Sequence, residues 1–168
     1  MIITNADHSD IEGIMTIIDQ AKSFLKENGI NQWQDGYPNE EAFGNDIGQQ
    51  RLYVVKEGKR IIAVFALVDY EETYDVIYEG SWLADEPYVA VHRIAVDNGY
   101  KGKGVARFIF DELKKEHGDI RVDTHEDNLN MQRCLLHNGF SYRGIIYLAR
   151  GSDSDSKRLA YEYHKNNL

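Results

Sequence analysis

Apolar residues recur along this chain with two different spacings, one typical of helices and one typical of strands. Between residues 11 and 25 they recur every three or four positions, which predicts an amphipathic helix ending at Asn28-Gly29. Ser9 or Asp10 is the expected N-cap of this helix, because both side chains accept hydrogen bonds from backbone amides. Further helices are predicted at residues 38–47, 104–117 and 129–137.

Short runs rich in β-branched and aromatic residues predict the strands. Residues 51–56 and 60–69 flank Glu57-Gly58-Lys59, and such a turn predicts a β-hairpin. The other predicted strands are residues 1–5, 88–96, 120–124, 140–148 and 158–163. This order predicts a mixed sheet with helices packed against it, an α/β or α+β fold in a single domain over residues 1–168.

Three segments show neither the helical nor the strand spacing of apolar residues. Residues 30–37 are polar and aromatic and are expected to form a loop. Residues 151–156 consist of glycine, serine and aspartate, which predicts a mobile polar loop. Residues 71–86 combine tyrosines with acids and are ambiguous, and a strand extension followed by an exposed loop would fit them.

The overall charge limits the possible partners. A formal net charge of −9 gives no electrostatic support to nucleic acid or an anionic membrane as a partner. The longest apolar run, residues 61–68, is far too short to cross a bilayer, and the first residues lack the pattern of a signal peptide. We therefore expect a cytoplasmic protein. The spacing of histidines and of the single cysteine suggests no metal site.

One stretch combines a strand, a glycine-rich turn and the start of a helix. The predicted strand ends in Ile94-Ala95-Val96, and Lys101-Gly102-Lys103-Gly104-Val105-Ala106 opens the next helix. Unpaired amides and the helix dipole favour an anion at such a helix start, and glycine lets a ligand approach the backbone. Lys101, Lys103 and Arg107 add positive charge in an otherwise acidic chain. The alternative is an ordinary surface loop.

These motifs together resemble the GNAT family of acetyl-CoA-dependent N-acetyltransferases. The family has a Gln/Arg-x-x-Gly-x-Gly/Ala motif after an apolar-Ala-Val strand end, which Lys101, Gly104 and Ala106 match with lysine in the first position. Its C-terminal signature matches Asn128, followed eleven residues later by Gly139-Phe140. The resemblance implies a mixed, mostly antiparallel sheet of about six or seven strands, flanked by about four helices.

The resemblance also implies acetyl-CoA as co-substrate. Its diphosphate would lie on the glycine-rich turn, and its pantetheine arm would lie in a gap between strands 89–96 and 120–124. Asn128 would contact this arm or only cap its helix. The expected cofactor-binding residues are Ile94, Ala95, Val96, Lys101, Gly102, Lys103, Gly104, Val105, Ala106, Arg107 and Asn128.

For catalysis, the resemblance implies that the N–H of Ile94 or of a neighbouring residue stabilises the oxyanion formed when an amine attacks the acetyl carbonyl. His92 is the first candidate for the base. In a regular strand it shares a face with Ile94, and histidine changes its protonation near neutral pH. A structural histidine beside a water chain is the alternative, and Asp123 and His125 are second candidates.

The chain departs from the family at one catalytic position. Where the family often has a tyrosine that protonates the coenzyme A thiolate, this chain has Leu135. Water or another tyrosine would then supply the proton, and the candidates are Tyr88, Tyr142 and Tyr147.

The resulting hypothesis is an N-acetyltransferase that moves an acetyl group from acetyl-CoA to a primary amine by direct attack in a ternary complex, without a metal. The alternatives are a non-catalytic acyl-CoA-binding or sensing domain and a structural interaction module. The acceptor would be a small-molecule or peptide amine, and the resemblance is compatible with a homodimer. Trp33, Tyr88 and Asp123 are the expected acceptor-binding residues, with core packing or an oligomer contact as the alternatives for the two aromatic side chains.

Overall fold

The structure, a computed structural model, describes residues 1–149 and 156–166. Within these residues seven β-strands and four α-helices occur. They are β1 (Ile2–Asn5), α1 (Ile11–Glu27), α2 (Glu40–Gly48), β2 (Leu52–Glu57), β3 (Arg60–Val68), β4 (Val89–Val96), α3 (Val105–Glu116), β5 (Asp119–Thr124), α4 (Leu129–His137), β6 (Ser141–Tyr147) and β7 (Lys157–His164). The polar loop predicted at residues 151–156 falls almost entirely outside the described residues.

The seven strands form one sheet in the order β1-β2-β3-β4-β5-β7-β6. The pairs β1–β2, β2–β3, β5–β7 and β6–β7 are antiparallel, whereas β4 and β5 pair in parallel. The predicted hairpin is present, with Glu57 opposite Arg60 at its turn. The mixed, mostly antiparallel sheet with four helices is confirmed.

The chain divides into two compact units. Unit 1 comprises Met1–Leu67 and Val91–Ile109, and unit 2 comprises Val68–Ala90 and Phe110–Leu168. Strand β4 therefore begins in unit 2 and continues in unit 1. The single-domain organisation stays a prediction.

The core of unit 1 lies between its two first helices and its strands. Helix α1 contributes Ile14, Ile17 and Ile18, and α2 contributes Phe43, all of them inaccessible or nearly inaccessible to solvent. Burial of such side chains contributes about 1.5–3 kcal/mol each. This packing fixes α2 against the sheet of unit 1.

The start of α1 corrects one prediction. Asp7, rather than Ser9, caps a short 3₁₀ turn that leads into the helix, and its carboxylate accepts the amide of Ser9 at 2.7 Å. Asp10 precedes the first residue of α1, but its carboxylate accepts the amide of Asp7 at 3.1 Å. It also pairs with Lys56 at 2.8 Å. Asp10, one of the two predicted residues, does occupy the N-cap position of α1. Its side chain makes no capping bond to α1, because it belongs to the reciprocal capping box with Asp7 one turn earlier.

The ambiguous segment 71–86 belongs to unit 2 and is neither a strand extension nor a simple exposed loop. It forms a 3₁₀ turn at Glu72–Tyr74, and Tyr78 makes an isolated antiparallel bridge with Ile145 of β6. The two N–H···O bonds of this bridge measure 2.8 Å each. A Cβ at Gly80 would lie 1.9 Å from the carbonyl oxygen of Arg143, so this close approach requires glycine.

Candidate active site

Strand β4 is irregular at its centre. Arg93 has a φ of 52°, in the left-handed region that residues other than glycine rarely adopt. Its two neighbours, His92 and Ile94, are half-buried, as is Arg93 itself. The parity argument that placed His92 and Ile94 on one face assumed a regular strand, so it does not apply here. A left-handed non-glycine residue costs about 1–3 kcal/mol and must be held by its surroundings.

The side chain of Arg93 is held by α2 and by the loop before it. Its Nε and Nη2 donate to the two carboxylate oxygens of Asp46 at 2.7 and 2.9 Å, a bidentate ion pair. Its Nη1 donates to the hydroxyl oxygen of Tyr37 at 2.6 Å. Asp46 is 1% exposed and also accepts a bond from Arg51 at 2.7 Å. The irregular residue of β4 is therefore bound to a buried, charged anchor.

The segment after β4 forms the predicted glycine-rich turn. Asp97 accepts the amide of Gly99 at 2.8 Å and so closes a 3₁₀ turn, which leads to Gly102 and Gly104 with φ values of 74° and 81°. A Cβ at either of these glycines would meet no heavy atom of the described residues within 4 Å. The outer surface of the turn is therefore open to a ligand.

The turn leads directly into the first amides of α3. Phe108 donates to the carbonyl oxygen of Gly104 at 2.9 Å, so the amides of Val105 and Ala106 precede the first helical hydrogen bond. Together with the left-handed glycines they form the arrangement that binds phosphate oxygens at helix starts. The residues present fit a diphosphate.

Two lysines carry positive charge at this turn, and each lies over an aromatic ring of unit 1. The Nζ of Lys101 is 4.4 Å from the centroid of the Phe24 ring, and that of Lys103 is 5.2 Å from the centroid of the Tyr100 ring. Burial lowers the pKa of Lys101. These contacts hold the two ammonium groups beside the turn, which favours anion binding there.

In unit 2, Asn128 caps α4. Its side-chain oxygen accepts the amide of Met131 at 3.2 Å, and its carbonyl oxygen accepts the amide of Gln132 at 3.1 Å. The predicted capping role is confirmed. Contact between Asn128 and a ligand stays a prediction.

The expected acceptor residues make clear contacts inside their own units. Asp123 accepts a hydrogen bond from the buried hydroxyl of Tyr74 at 2.6 Å, and burial, together with this carboxylate, raises the pKa of Tyr74 well above its usual value. Tyr88 lies against the guanidinium of Arg121, 4.0 Å from the ring centroid. Trp33 packs against the core of unit 1. Core packing is thus present for both aromatic residues, and acceptor binding stays a prediction.

The sequence itself matches a family model. The model of the acetyltransferase (GNAT) family matches residues 17–140. The chain belongs to the GNAT family. It is therefore an acyltransferase, and this family generally uses acetyl-CoA.

Solved structures agree with this assignment. A GNAT-family acetyltransferase from Streptococcus agalactiae 2603 is 36% identical, with a TM-score of 0.88 over 98% of this chain and 95% of that one. A GNAT-family acetyltransferase from Listeria monocytogenes 4b F2365 is 19% identical, with a TM-score of 0.67 over 97% and 94%. The ribosomal-protein-S18-alanine N-acetyltransferase from Escherichia coli is 14% identical, with a TM-score of 0.60 over 97% and 92%. The last two share the fold alone, and comparison with curated proteins gives no match.

Neither a metal-binding cluster nor a membrane-spanning helix occurs in the part of the chain that the structure describes. In residues 1–149 and 156–166, no group of three or more His, Cys, Asp or Glu side chains is placed to hold a metal ion. No helix in the same residues is long and apolar enough to cross a membrane.

The position of the family tyrosine is part of the core in this acetyltransferase. Leu135 is inaccessible to solvent. The hydroxyl of Tyr88 accepts the amide of Glu71 at 3.0 Å and donates to the carbonyl of the same residue at 3.2 Å. Tyr142 and Tyr147 pack against Tyr161 and Tyr78. The general acid stays a prediction.

Sequence reasoning missed the group formed by Arg93, Asp46 and Tyr37. Arg93 lies 47 positions from Asp46 and 56 from Tyr37, and an aspartate within an amphipathic helix gives no signal of a buried ion pair. The one available hint was positional, because Arg93 lies between the two expected catalytic residues.

Proposed function

We propose that this GNAT acetyltransferase transfers an acetyl group from acetyl-CoA to a primary amine by direct attack in a ternary complex. The open turn at Gly102 and Gly104, followed by the first amides of α3, carries this proposal. A diphosphate fits such a turn because unpaired amides and the helix dipole both favour negative charge.

Acetyl-CoA would be held mainly by backbone groups. The amides around Gly104 and the side chains of Lys101, Lys103 and Arg107 would bind its diphosphate. Its amide-bearing arm would bind along residues 94–96 of β4, as a peptide does when it adds to a strand. Asn128, at the start of α4, would contact the same arm.

Acetyl-CoA supplies the acetyl group as a thioester. We assign the N–H of Ile94 to donate to the acetyl oxygen, where negative charge develops. We assign His92 to take the proton of the attacking amine, directly or through water, because attack requires a neutral amine. The Nε2 atom of His92 is shielded from solvent, which suits a base that acts on an enclosed amine.

The acceptor is proposed to be an amine of a small molecule or a peptide, since GNAT acetyltransferases act on small-molecule or protein acceptors. The Escherichia coli relative is named for the alanine of a ribosomal protein, so the fold accommodates a peptide amine. We further propose a cytoplasmic enzyme without a nucleic-acid or membrane partner, which the net charge of −9 supports, and we retain a homodimer as its assembly.

The proposal is tested by turnover. The purified protein, given acetyl-CoA and a panel of amines that includes polyamines, amino acids and short peptides, is expected to release free thiol faster with at least one amine than without. Thiol release is followed with a chromogenic disulfide, and mass spectrometry of the amine must show the added acetyl group. Binding of acetyl-CoA without acceleration by any amine would favour a non-catalytic acyl-CoA-binding protein instead.

A further inference from the structure

We propose that Arg93 is a positioning residue whose guanidinium, held by Asp46, fixes the direction of the Ile94 N–H. This inference rests on the proposed function, because it assigns that N–H to the acetyl oxygen. The group formed by Arg93, Asp46 and Tyr37 is called the β4 clamp below.

The backbone of Arg93 supports this positioning role. A φ of 52° in the middle of a strand is strained for any residue with a Cβ, and such strain persists only where the surroundings enforce it. A residue in this conformation interrupts the ladder, so the next peptide group turns away from its regular direction. The next residue is Ile94, so the strain lies at the peptide whose direction matters for the reaction.

The geometry of the β4 clamp restricts the Arg93 side chain. Two N–H groups of Arg93 reach the two oxygens of Asp46 at 2.7 and 2.9 Å, and a third reaches Tyr37 at 2.6 Å. Three bonds from one planar group leave its side chain little freedom. A guanidinium fixed in this way also restricts the torsions of the backbone that carries it.

Asp46, the partner of Arg93 in the clamp, is itself held firmly in place. Asp46 lies on α2, which is capped by the side chain of Asn39 and inserts the fully buried Phe43 into the core of unit 1. The carbonyl oxygen of Asp46 accepts the amide of Arg51 at 3.0 Å, so its backbone is held as well. The clamp therefore ties the irregular part of β4 to a fixed element.

The competing explanation is that the ion pair between Arg93 and Asp46 only stabilises the fold. Arg51 distinguishes the two explanations because it binds the same carboxylate from another element. Arg51 donates to the same carboxylate at 2.7 Å, but it stands next to β2 rather than on β4. If Asp46 only needs a positive neighbour, then loss of either arginine should have similar effects. If Asp46 positions β4, then only the loss of Arg93 should change the chemical step.

The experiment compares Arg93→Gln with Arg51→Gln in steady-state kinetics. Arg93→Gln is expected to lower kcat by about 10- to 100-fold while KM for acetyl-CoA stays within about twofold, because a misdirected donor affects the transition state more than binding. Arg51→Gln is expected to change kcat by less than about threefold, since it removes one partly exposed contact. Equal losses in the two variants, or no loss in Arg93→Gln, would overturn the proposal.

Two further variants test whether a loss of kcat in Arg93→Gln comes from an unpaired buried charge or from a change in backbone strain. The double variant Arg93→Gln/Asp46→Asn leaves no buried charge unpaired, and it should show the same loss of kcat in a folded protein. Arg93→Gly accepts the left-handed backbone without strain but lacks the guanidinium, and it should also lose kcat. Full activity of the glycine variant would show that the guanidinium does not position β4.

A measurement that does not depend on catalytic turnover tests the positioning role of Arg93 separately from the proposed function. Asp46→Asn breaks the bidentate ion pair without changing a sequence neighbour of Ile94. The amide resonance of Ile94 in ¹H–¹⁵N spectra of the free protein is expected to move in Asp46→Asn and to stay in place in Arg51→Gln. An unmoved resonance in Asp46→Asn would overturn the positioning role even if kcat falls in Arg93→Gln. Failure of the wild-type protein to acetylate any amine would refute the proposed function, while the amide comparison would still decide the role of Arg93.

Discussion

His92 occupies one of the three positions around the irregular centre of β4, and its role is tested at the level of a single side chain. His92→Gln is expected to lower kcat about 100-fold, because general-base catalysis contributes factors of this order. The measurement is thiol release under saturating acetyl-CoA, with the Kd of acetyl-CoA as a check on binding.

The matched control for His92 is His137→Gln, an exposed histidine in the last turn of α4. This control should retain wild-type turnover. If His92→Gln keeps kcat within about threefold of the wild type, then the base is a water chain or one of the second candidates, Asp123 and His125.

Single residues also show where sequence reasoning succeeds and where it fails. Asn128 was correctly predicted as a helix cap because capping depends on neighbours within four positions. Asp10 stands at the N-cap position of α1 as predicted, but its side chain bonds to Asp7 instead of to the helix, because a 3₁₀ turn precedes α1. The bond between Arg93 and Asp46 joins residues 47 positions apart, and no local pattern contains that information.

At the level of elements, strands β5 and β7 bring four ionisable side chains together on one face. Asp119 pairs with His164 and Arg121 with Glu162 in the antiparallel register. The Nε atom of Arg121 is 3.1 Å from the Glu162 carboxylate and 3.6 Å from that of Asp119, and His164 lies 3.3 Å from Asp119. Burial, and then the nearby Glu162 carboxylate, raise the pKa of Asp119 from 3.8 to about 7.

This raised pKa predicts a pH-dependent stability. The folded protein binds the Asp119 proton more tightly than the unfolded chain, so its contribution to the free energy of unfolding is complete below about pH 4 and is lost as the pH rises through about 7. Asp119→Asn is neutral at every pH and should lack this loss. At about pH 8 it should melt about 3 °C or more above the wild type, and the advantage should shrink or reverse at about pH 5.

Thermal unfolding followed by circular dichroism at several pH values measures this difference. The control is Asp111→Asn, an exposed carboxylate on α3 whose substitution should leave the pH dependence unchanged. A parallel pH dependence in wild type and Asp119→Asn would contradict the account of this strand pair.

Elements with a strong local signal were the ones predicted correctly. The hairpin of β2 and β3 follows from its glycine turn, and the apolar period of residues 11–25 gave α1. Segment 71–86 was ambiguous because its structure depends on pairing between Tyr78 and Ile145 and on the close approach at Gly80. Such contacts across the chain are set by tertiary packing rather than by local propensity.

For the whole molecule, the order of strands and helices together with two short motifs predicted the GNAT fold. The sheet with helices packed against it was predictable because the spacing of apolar residues identifies each helix and strand, and each must bury its apolar face against another element. The acceptor was not predictable, since the expected acceptor residues Trp33 and Tyr88 are indistinguishable in sequence from core aromatic residues, and each packs against the core of its own unit. The irregular centre of β4 was equally hidden, because a left-handed arginine has no sequence signature.

The central claim is that acetyl-CoA binds through the turn at Gly102 and Gly104, and two glycine substitutions test it. Gly104 and Gly58 both have left-handed backbones, with φ values of 81° and 59°, and a Cβ at either would meet no heavy atom of the described residues within 4 Å. Valine at either position should therefore cost a similar amount of stability, about 1–2 kcal/mol. Only Gly104 lies in the proposed site, whereas Gly58 forms the turn of the β2–β3 hairpin, where its neighbours Glu57 and Arg60 contact Tyr100 and Asp97.

The decisive measurement is calorimetric titration of wild type, Gly104→Val and Gly58→Val with acetyl-CoA and with free coenzyme A. We predict micromolar binding of both ligands to the wild type and to Gly58→Val, and at least a roughly 100-fold weaker affinity for Gly104→Val, because the new side chain occupies the space of the diphosphate. Equal affinity of the two variants, or no binding to the wild type, would contradict the account.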